Sequence, residues 1–219
     1  MRPELIIFDC DGVLVDSEVI SCRIDAVCLG EIGIVISAEE VMDRYLGISA
    51  ATMCGDIERR LGRSLPADFA DTLRARVAAA FDAELAPIAG VETMLDALPF
   101  RRCVASSSAP ERVRQSLSVT GLLRHFEPNI FSATQVARGK PAPDLFRFAA
   151  DAMRVARATC VVVEDSVPGV QAAVAAGMQV IGFTGGAHCR PGHGERLRVA
   201  GAIAVTDAMS RLPGLLAAA

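Results

Sequence analysis

Five short apolar runs, each followed by a helix-like pattern, constrain the fold of this chain more than any other feature. The runs are of strand length: "LIIF" (5–8), "RCVAS" (102–106), "CVVVE" (160–164), "QVIGF" (179–183) and "AIAV" (202–205). Strands that are apolar on both faces and alternate with helices are typical of a parallel sheet covered by helices on both sides. The sequence therefore predicts a doubly wound, Rossmann-like α/β core.

The stretch from residue 16 to residue 87 interrupts this alternation. It has no convincing strand, and helical patterns recur around 17–30, 38–46, 49–62 and 67–84. Turn residues such as Gly33 and Pro66 separate these patterns. We therefore expect an α/β core formed by residues 1–15 and 88–219, and an inserted all-helical cap formed by residues 16–87.

Two carboxylates, Asp9 and Asp11, stand directly after the first apolar run. A carboxylate at the mouth of a buried strand costs free energy unless a cation or a reaction needs it. Because side chains alternate along a strand, Asp9 and Asp11 point the same way, with Cys10 turned aside. The competing interpretation is a solvated Asp-Gly turn that closes a hairpin.

Polar residues also follow the second and third apolar runs. Ligands of an open parallel sheet bind beyond the carboxyl ends of its strands, which makes these residues candidates for a site. They are Ser106, Ser107 and Ser108 after the second run, and Glu164 and Asp165 after the third. The spacing of Ser108 and Glu111 further predicts a capping box, with the N-terminus of a helix facing the site.

These residue types suit phosphoryl transfer. The carboxylates of Asp9, Asp11 and Asp165 are hard oxygen ligands that suit Mg²⁺ when a substrate supplies a phosphate oxygen. A carboxylate can attack phosphorus to form an aspartyl-phosphate, and a second carboxylate can act as acid and then as base. Lys140, in "RGKPAPD", adds a cation that balances the phosphoryl group.

Charge and composition exclude several classes of partner. The net charge of −4 leaves no basic excess for nucleic acid or an anionic membrane surface. The first apolar run is too short for a signal peptide, and no run reaches the ~18 residues of a membrane span. Seven cysteines without a C-x-x-C spacing favour reduced thiols. We expect a cytoplasmic monomer or weak homodimer that acts on a small phosphorylated molecule.

Four motifs, in order, resemble those of the haloacid dehalogenase-like hydrolases, in the subgroup that carries a helical cap after the first motif. They are "DCDGVLVDSE", "VASSS", "GKPAPD" and "VVVEDSVPGVQAAVAAGM", which together span residues 9–178. The helical insert falls where this subgroup has its cap. The amino-acid sequences of the motifs are most similar to those of bacterial phosphatases of small phosphorylated sugars or sugar acids, the 6-phosphogluconate phosphatases among them.

The resemblance implies a role for each acid of the motifs. Asp9 corresponds to the nucleophile and Asp11 to the acid and base. The same resemblance implies that Mg²⁺ is held by Asp9, by the backbone carbonyl of Asp11 and by Asp165. Glu164 would lie close to the metal or to its waters.

The resemblance also implies how substrate binds. Ser106, with Ser107 beside it, and Lys140 would bind the transferring phosphoryl group. Closure of the cap over Asp9 would in addition place Glu18 and Gly47 against the leaving group, where we expect them to contribute to substrate choice. Because a helical cap must open to admit substrate, we expect specificity in the cap and chemistry in the core.

Two alternatives remain open at this point. Sugar-phosphate mutases of the β-phosphoglucomutase type carry a histidine soon after the first motif and an arginine after the Gly-x-Ser of the cap. This chain has Ser21 and Ala50 at those positions, which favours hydrolysis. A non-catalytic binding protein on the same fold is less favoured, because the motif acids and the lysine are all present.

The segment "GGAHCRPGHG" (185–194) contains His188, Cys189 and His193. Its composition is compatible with a metal cluster, a glycine-rich phosphate loop or a flexible surface loop. No strong helix-start pattern follows it, so a flexible surface loop is the favoured interpretation.

Overall fold

The computed structural model describes residues 3–46, 48 and 50–218, and its centre is a six-stranded sheet whose strands are all parallel. The strands are β1 (Leu5–Phe8), β2 (Arg101–Ser106), β3 (Ile130–Ser132), β4 (Cys160–Glu164), β5 (Gln179–Phe183) and β6 (Ala204–Thr206). They lie in the order β3-β2-β1-β4-β5-β6. This order confirms the predicted doubly wound, Rossmann-like core.

Ten α-helices surround or follow this sheet in the described part of the chain. They are α1 (Glu18–Glu31), α2 (Ala38–Tyr45), α3 (Ala50–Leu61), α4 (Phe69–Glu84), α5 (Val91–Ala97), α6 (Pro110–Val119), α7 (Asp144–Met153), α8 (Val167–Ala175), α9 (His193–Ala200) and α10 (Leu212–Ala218). None of these helices is both long and apolar enough to cross a bilayer.

The two faces of the sheet bury separate apolar cores, because successive side chains of a strand point to opposite faces. Ile6 and Phe8 of β1 pack with side chains from α5, α6 and α10. Leu5 and Ile7 pack on the other face with side chains from α7, α8 and α9. Strand β1 is therefore buried on both sides, as its unbroken apolar sequence predicts.

Helices α1 to α4 form the helical cap, which has an apolar core of its own. Leu29, Val41, Ile57, Leu73 and Phe81 are among the buried residues of this core. All four predicted helices agree with the observed bounds to within two residues. The cap is thus the all-helical insert that the sequence predicts.

Two backbone segments join the cap to the sheet, and they pair with each other. The N–H of Asp16 donates to the carbonyl of Ala86 at 3.0 Å, and the N–H of Ile88 donates to the carbonyl of Leu14 at 3.0 Å. An isolated antiparallel bridge joins Val15 to residue 87. The division into residues 16–87 and the remainder stays a prediction, but the two connections lie where the sequence analysis expects them.

One strand, β3, was not predicted from the sequence, and another, β6, begins later than predicted. Strand β3 is only three residues long and pairs with β2 alone, at the edge of the sheet. A segment of this length shows no periodicity that separates it from a loop. Strand β6 begins at Ala204, two residues later than the predicted run, and Ile203 before it is 55% exposed.

Candidate active site

A cavity of about 860 Å³ lies between the cap and the carboxyl ends of the strands. From the core it is lined by Asp9, Asp11, Ser106, Lys140 and Asp165, and from the cap by apolar side chains that include Val41, Met53, Leu73 and Val77. Apart from Glu164, the polar residues predicted at separate strand ends therefore line one cavity. The cap covers them with a mostly apolar surface.

The register of the sheet brings these residues together. Phe8 of β1 pairs with Val104 of β2 on one side and with Val163 of β4 on the other. Asp9 follows Phe8, and its N–H continues the ladder by donating to the carbonyl of Val163 at 3.0 Å. The strand order reverses between β1 and β4, so Asp9 stands at the switch point where α/β sheets bind ligands.

Lys140 links two buried carboxylates of the site. Its Nζ donates to Asp9 Oδ1 at 2.8 Å and to Glu164 Oε1 at 2.6 Å, and its side chain is 3% exposed. Burial alone would lower the pKa of Lys140, but the charges of Asp9 and Glu164 outweigh it and raise that pKa above its ordinary value. Lys140 is also the only lysine among the 22 lysine and arginine residues of the chain.

Glu164 is fully buried and holds Lys140 from the side opposite Asp9. Its Oε2 accepts hydrogen bonds from the backbone N–H and the hydroxyl of Ser166, at 2.8 and 2.9 Å. A Cβ at position 169 would lie 1.8 Å from Oε1, so only Gly169 leaves room for the carboxylate. Both oxygens of Glu164 therefore accept hydrogen bonds from protein donors.

Asp11 has its own set of partners. Its Oδ1 accepts from the Ser17 hydroxyl at 2.7 Å and from Arg112 Nη2 at 3.4 Å. Its Oδ2 accepts from the hydroxyls of Ser108 at 2.7 Å and Ser106 at 3.4 Å. Burial raises the pKa of Asp11, but the Arg112 charge and the hydroxyl hydrogen bonds outweigh it and lower that pKa below its ordinary value. Asp11 is therefore held as the anion.

The buried acids fit a divalent cation. Carboxylate oxygens of Asp9, Glu164 and Asp165 lie within 4.8 Å of one another. Burial raises the pKa of both Asp9 and Asp165 well above the ordinary value, and repulsion from Glu164 adds to the effect. Lys140 is the one lysine that contacts these acids, and a divalent cation would relieve the repulsion that raises the two pKa values. Asp9 and Asp165 are the acids suited to hold Mg²⁺, because oxygen donors are the ligands it prefers.

Comparison with known proteins identifies the family to which the chain belongs. A family model described as haloacid dehalogenase-like hydrolase matches residues 6–183. The chain belongs to the haloacid dehalogenase-like hydrolases. A 6-phosphogluconate phosphatase from Escherichia coli (strain K12) is 37% identical over 191 residues, which cover 87% of this chain and 86% of that relative.

Solved structures of family members have the same architecture. A haloacid dehalogenase-like protein of unknown function from Agrobacterium tumefaciens str. C58 is 40% identical, with a TM-score of 0.85 over 98% of both chains. A family hydrolase from Deinococcus radiodurans R1, solved with bound phosphate and sodium, is 31% identical, with a TM-score of 0.79 over 99% of this chain and 96% of that one. Core and cap together therefore have the family fold.

Most of the predicted substrate-binding residues of this hydrolase line the cavity. Ser107 lines the cavity beside Ser106, and Glu18 lines it from the first turn of α1. Gly47 lies outside the described residues. Ser21 and Ala50, the positions at which mutases carry charged groups, also line the cavity.

The predicted capping box at Ser108 and Glu111 is wrong. Helix α6 begins at Pro110 with Ala109 as its N-cap, and no side chain caps it. The Ser108 hydroxyl donates to Asp11 instead. Ser108 precedes the N-cap residue by one position, because α6 begins one residue later than the capping box requires.

The interpretation of residues 185–194 as a flexible surface loop is also wrong. His188 and His193 are buried, and α9 begins at His193. His188 Nε2 lies 2.8 Å from Asp165 Oδ2, and His193 Nε2 lies 2.5 Å from the backbone oxygen of Asp165. The glycine- and proline-rich composition suggests a loop but does not reveal that the loop folds inward.

Arg112 is a site residue that the sequence analysis missed. Its Nη2 donates to the hydroxyl of Ser21 at 3.0 Å, and its guanidinium lies over the ring of Phe81 at 4.9 Å. It thus joins helix α6 of the core to helices α1 and α4 of the cap. Its position in the first turn of the helix that follows the strand-end serines could have indicated this role.

Glu18 has the most strongly altered acidity among the cap residues of the cavity. Burial, together with the charges of Asp11 and Asp165, raises the pKa of Glu18 to about 8. Between its unfolded pKa near 4.5 and this value, the folded state binds the additional proton. The free energy of unfolding therefore falls as pH rises through this window, because a charged Glu18 is unfavourable in the folded site.

We expect Glu18→Gln to stabilise the protein at alkaline pH. In metal-free buffer its free energy of unfolding should exceed that of the wild type by on the order of 1 kcal/mol at pH 8.5, and the gain should shrink at pH 5. Urea titrations at both pH values measure the difference. Glu195→Gln, which removes an exposed charge, is the control and should show no such dependence. Destabilisation of Glu18→Gln at pH 8.5 would contradict the assignment.

Proposed function

We propose that this hydrolase is a Mg²⁺-dependent phosphatase of small phosphorylated metabolites, in particular of sugar or sugar-acid phosphates. It is a phosphoric monoester hydrolase that works through an aspartyl-phosphate on Asp9. The observation that carries the proposal is the pair of carboxylates in one cavity with separate partners, Asp9 on Lys140 and Asp11 on Arg112 and serine hydroxyls. Acids in such different surroundings can take different chemical roles.

In the first step, a carboxylate oxygen of Asp9 attacks phosphorus and the bond from phosphorus to the ester oxygen breaks. The leaving oxygen takes a proton from Asp11 and departs as an alcohol. Lys140 and Ser106 balance the charge on the phosphoryl oxygens. When bound, Mg²⁺ would lie at Asp9 and Asp165 and reduce the repulsion between the carboxylates and the phosphate.

In the second step, water attacks the phosphoryl group on Asp9 and gives up a proton to Asp11. The bond between Asp9 and phosphorus breaks, so inorganic phosphate leaves and both acids return to their starting states. The anionic Asp11 is the form that accepts this proton. For the first step it must carry a proton, so its contact with Arg112, at 3.4 Å, has to loosen when substrate binds.

The cap side of the cavity supports a substrate with a second acidic group. Arg112 lines the cavity and brings a guanidinium to Ser21 of the cap, at 3.0 Å. A guanidinium can bind a carboxylate through two parallel hydrogen bonds. The Escherichia coli relative is named for a phosphorylated sugar acid, 6-phosphogluconate. Sugar acids are therefore the first compounds to test in a panel of phosphorylated metabolites.

The other interpretations have less support. A mutase needs groups that hold a bisphosphate while it turns over, and Ser21 and Ala50 are uncharged. A binding protein has no need for a buried ammonium between two carboxylates, which is costly to build without a reaction. Phosphate release from a metabolite panel, with no isomerised sugar phosphate formed, distinguishes hydrolysis from both.

Asp9→Asn should lower phosphatase activity about 10³-fold or more, because the amide cannot attack phosphorus. Acid-quenched mass spectrometry during turnover should find a phosphoryl group on Asp9 in the wild type and none in the variant. Asp207→Asn, at an exposed acid that pairs with Arg211, is the control and should keep full activity. A folded Asp9→Asn variant that retains most of its activity would refute the covalent mechanism.

Removal of divalent metal should abolish activity, and added Mg²⁺ should restore it, because the buried acids repel a phosphate ester. Phosphate release is measured after treatment with a chelator and again after a titration with Mg²⁺. Asp165→Asn should shift the Mg²⁺ titration to higher concentration. Undiminished activity in excess chelator would count decisively against the metal site.

Arg112→Met should lower kcat/KM for 6-phosphogluconate about 10- to 100-fold more than for glucose 6-phosphate, the range expected for a lost charged hydrogen bond. Both values will fall, because Arg112 also contacts Asp11, so the ratio of the two is the readout. Lys140→Ala is the control and should depress both substrates equally. An unchanged ratio in Arg112→Met would exclude Arg112 from recognition of the acid.

A further inference from the structure

The segment between β5 and α9 carries a buried imidazole that the proposed reaction does not use. The side chain of His188 is 0% exposed, although Ala187 before it and Arg190 after it are exposed. A solvated loop would leave a polar ring in water, so a specific contact must compensate for its burial. That contact is with Asp165, one of the two acids suited to hold Mg²⁺.

Two imidazoles hold Asp165 at different atoms. His188 Nε2 lies 2.8 Å from the carboxylate oxygen Oδ2, and His193 Nε2 lies 2.5 Å from the backbone oxygen. A carboxylate accepts hydrogen bonds, so the Nε2 of His188 carries a proton and donates it to Oδ2. One oxygen of Asp165 is thereby held by the imidazole, and Asp165 at the same time lines the cavity.

Two glycines from different loops make room for the ring. Gly12 has a left-handed backbone, with φ of +75°, and a Cβ there would lie 2.7 Å from His188 Cε1 and 2.0 Å from Asp165 Oδ2. A Cβ at Gly186 would also lie 2.7 Å from the ring. Since contacts under about 3 Å are not tolerated, a side chain at either position would clash with the ring or the carboxylate as they are placed here, and glycine leaves them room.

Further hydrogen bonds hold this loop from outside. The N–H of Ala187 donates to Asp16 Oδ1 at 3.0 Å, at the connection between core and cap. Arg190 Nη1 donates to Asp43 of helix α2 at 3.2 Å. These contacts keep the loop against the carboxyl end of the sheet, so His188 does not rely on its own hydrogen bond for its position.

We propose that His188 is a positioning residue for the metal site: it fixes the orientation of the Asp165 carboxylate for Mg²⁺. This inference rests on the proposed metal site of the phosphatase. Ligating carboxylates commonly receive hydrogen bonds from a second layer of residues, and loss of such a partner weakens metal binding by 10- to 100-fold. His188 does not touch substrate in this role, and its effect passes through Asp165.

A metal bound directly by His188, Cys189 and His193 would be a different arrangement. Ligand atoms of these three residues also lie within 4.8 Å of one another. However, the Nε2 atoms of both histidines already contact Asp165, and the Nδ1 of His193 accepts from Arg196 at 2.8 Å. The contacts thus favour a role in holding Asp165, and Cys189 gives a variant that separates the two arrangements.

The test compares His188→Leu, which keeps apolar volume without a donor, with His188→Gln, which keeps an N–H donor. Isothermal calorimetry on the full chain measures the Kd for Mg²⁺, and activity at varied Mg²⁺ measures kcat and the KM for the metal. We expect His188→Leu to raise the Kd 10- to 100-fold, with kcat largely restored at saturating Mg²⁺. The Kd of His188→Gln for Mg²⁺ should stay within about threefold of the wild-type value. The Kd of Cys189→Ser should equal the wild-type value.

Melting temperatures in metal-free buffer establish that each variant is folded. If His188→Leu does not fold, Gly186→Ala gives a second route, because its Cβ would displace the ring and should also raise the Kd for Mg²⁺. Wild-type affinity in folded His188→Leu, an equal loss in His188→Gln and His188→Leu, or a loss in Cys189→Ser would each overturn the proposal. Failure of the wild type to bind Mg²⁺ would instead overturn the proposed metal site itself.

Discussion

The ammonium of Lys140, held between Asp9 and Glu164, is the interaction on which the rest of the site depends. Without this cation, the acids at the ends of β1 and β4 would face one another in a buried space with no opposite charge. An unpaired buried carboxylate is costly, so the strands could not end in this way. Glu164 in turn is fixed by Ser166 at the start of α8, and the ion pair is thereby tied to the backbone of the core.

The topology of the sheet explains why a few residues at the strand ends are enough to form the site. Strand order reverses between β1 and β4, so the loops after these strands turn away from each other and leave a gap. Asp9 and Asp165 stand at the two sides of that gap, and β2 adds Ser106 from the next position in the sheet. The cap, inserted after β1, covers the gap with a mostly apolar wall and adds Glu18 to the cavity, while Arg112 of α6 contacts the cap from the core.

The core of the site could be predicted from sequence because short polar groups at the ends of apolar strands have one physical explanation. Asp9, Asp11 and Asp165 each follow such a strand, and the sheet brings them together whatever the loops do. The features that were missed depend on competition between partners. Ser108 matches a helix cap but binds the charged Asp11, His188 lies in a loop that composition marks as solvated, and β3 is too short to show a period. Arg112 has the pattern of a surface helix residue, and only the position of the cap shows that it enters the cavity.

The single lysine of the chain has a practical consequence. Reagents that acylate amines have one side chain to modify in this protein, and it is 3% exposed and enclosed by carboxylates. Elsewhere the chain uses arginine, which such reagents leave intact, so no surface side-chain amine contributes background. The rate at which that amine is labelled would therefore report how often the catalytic centre itself opens, separately from motions of the cap or of the outer helices.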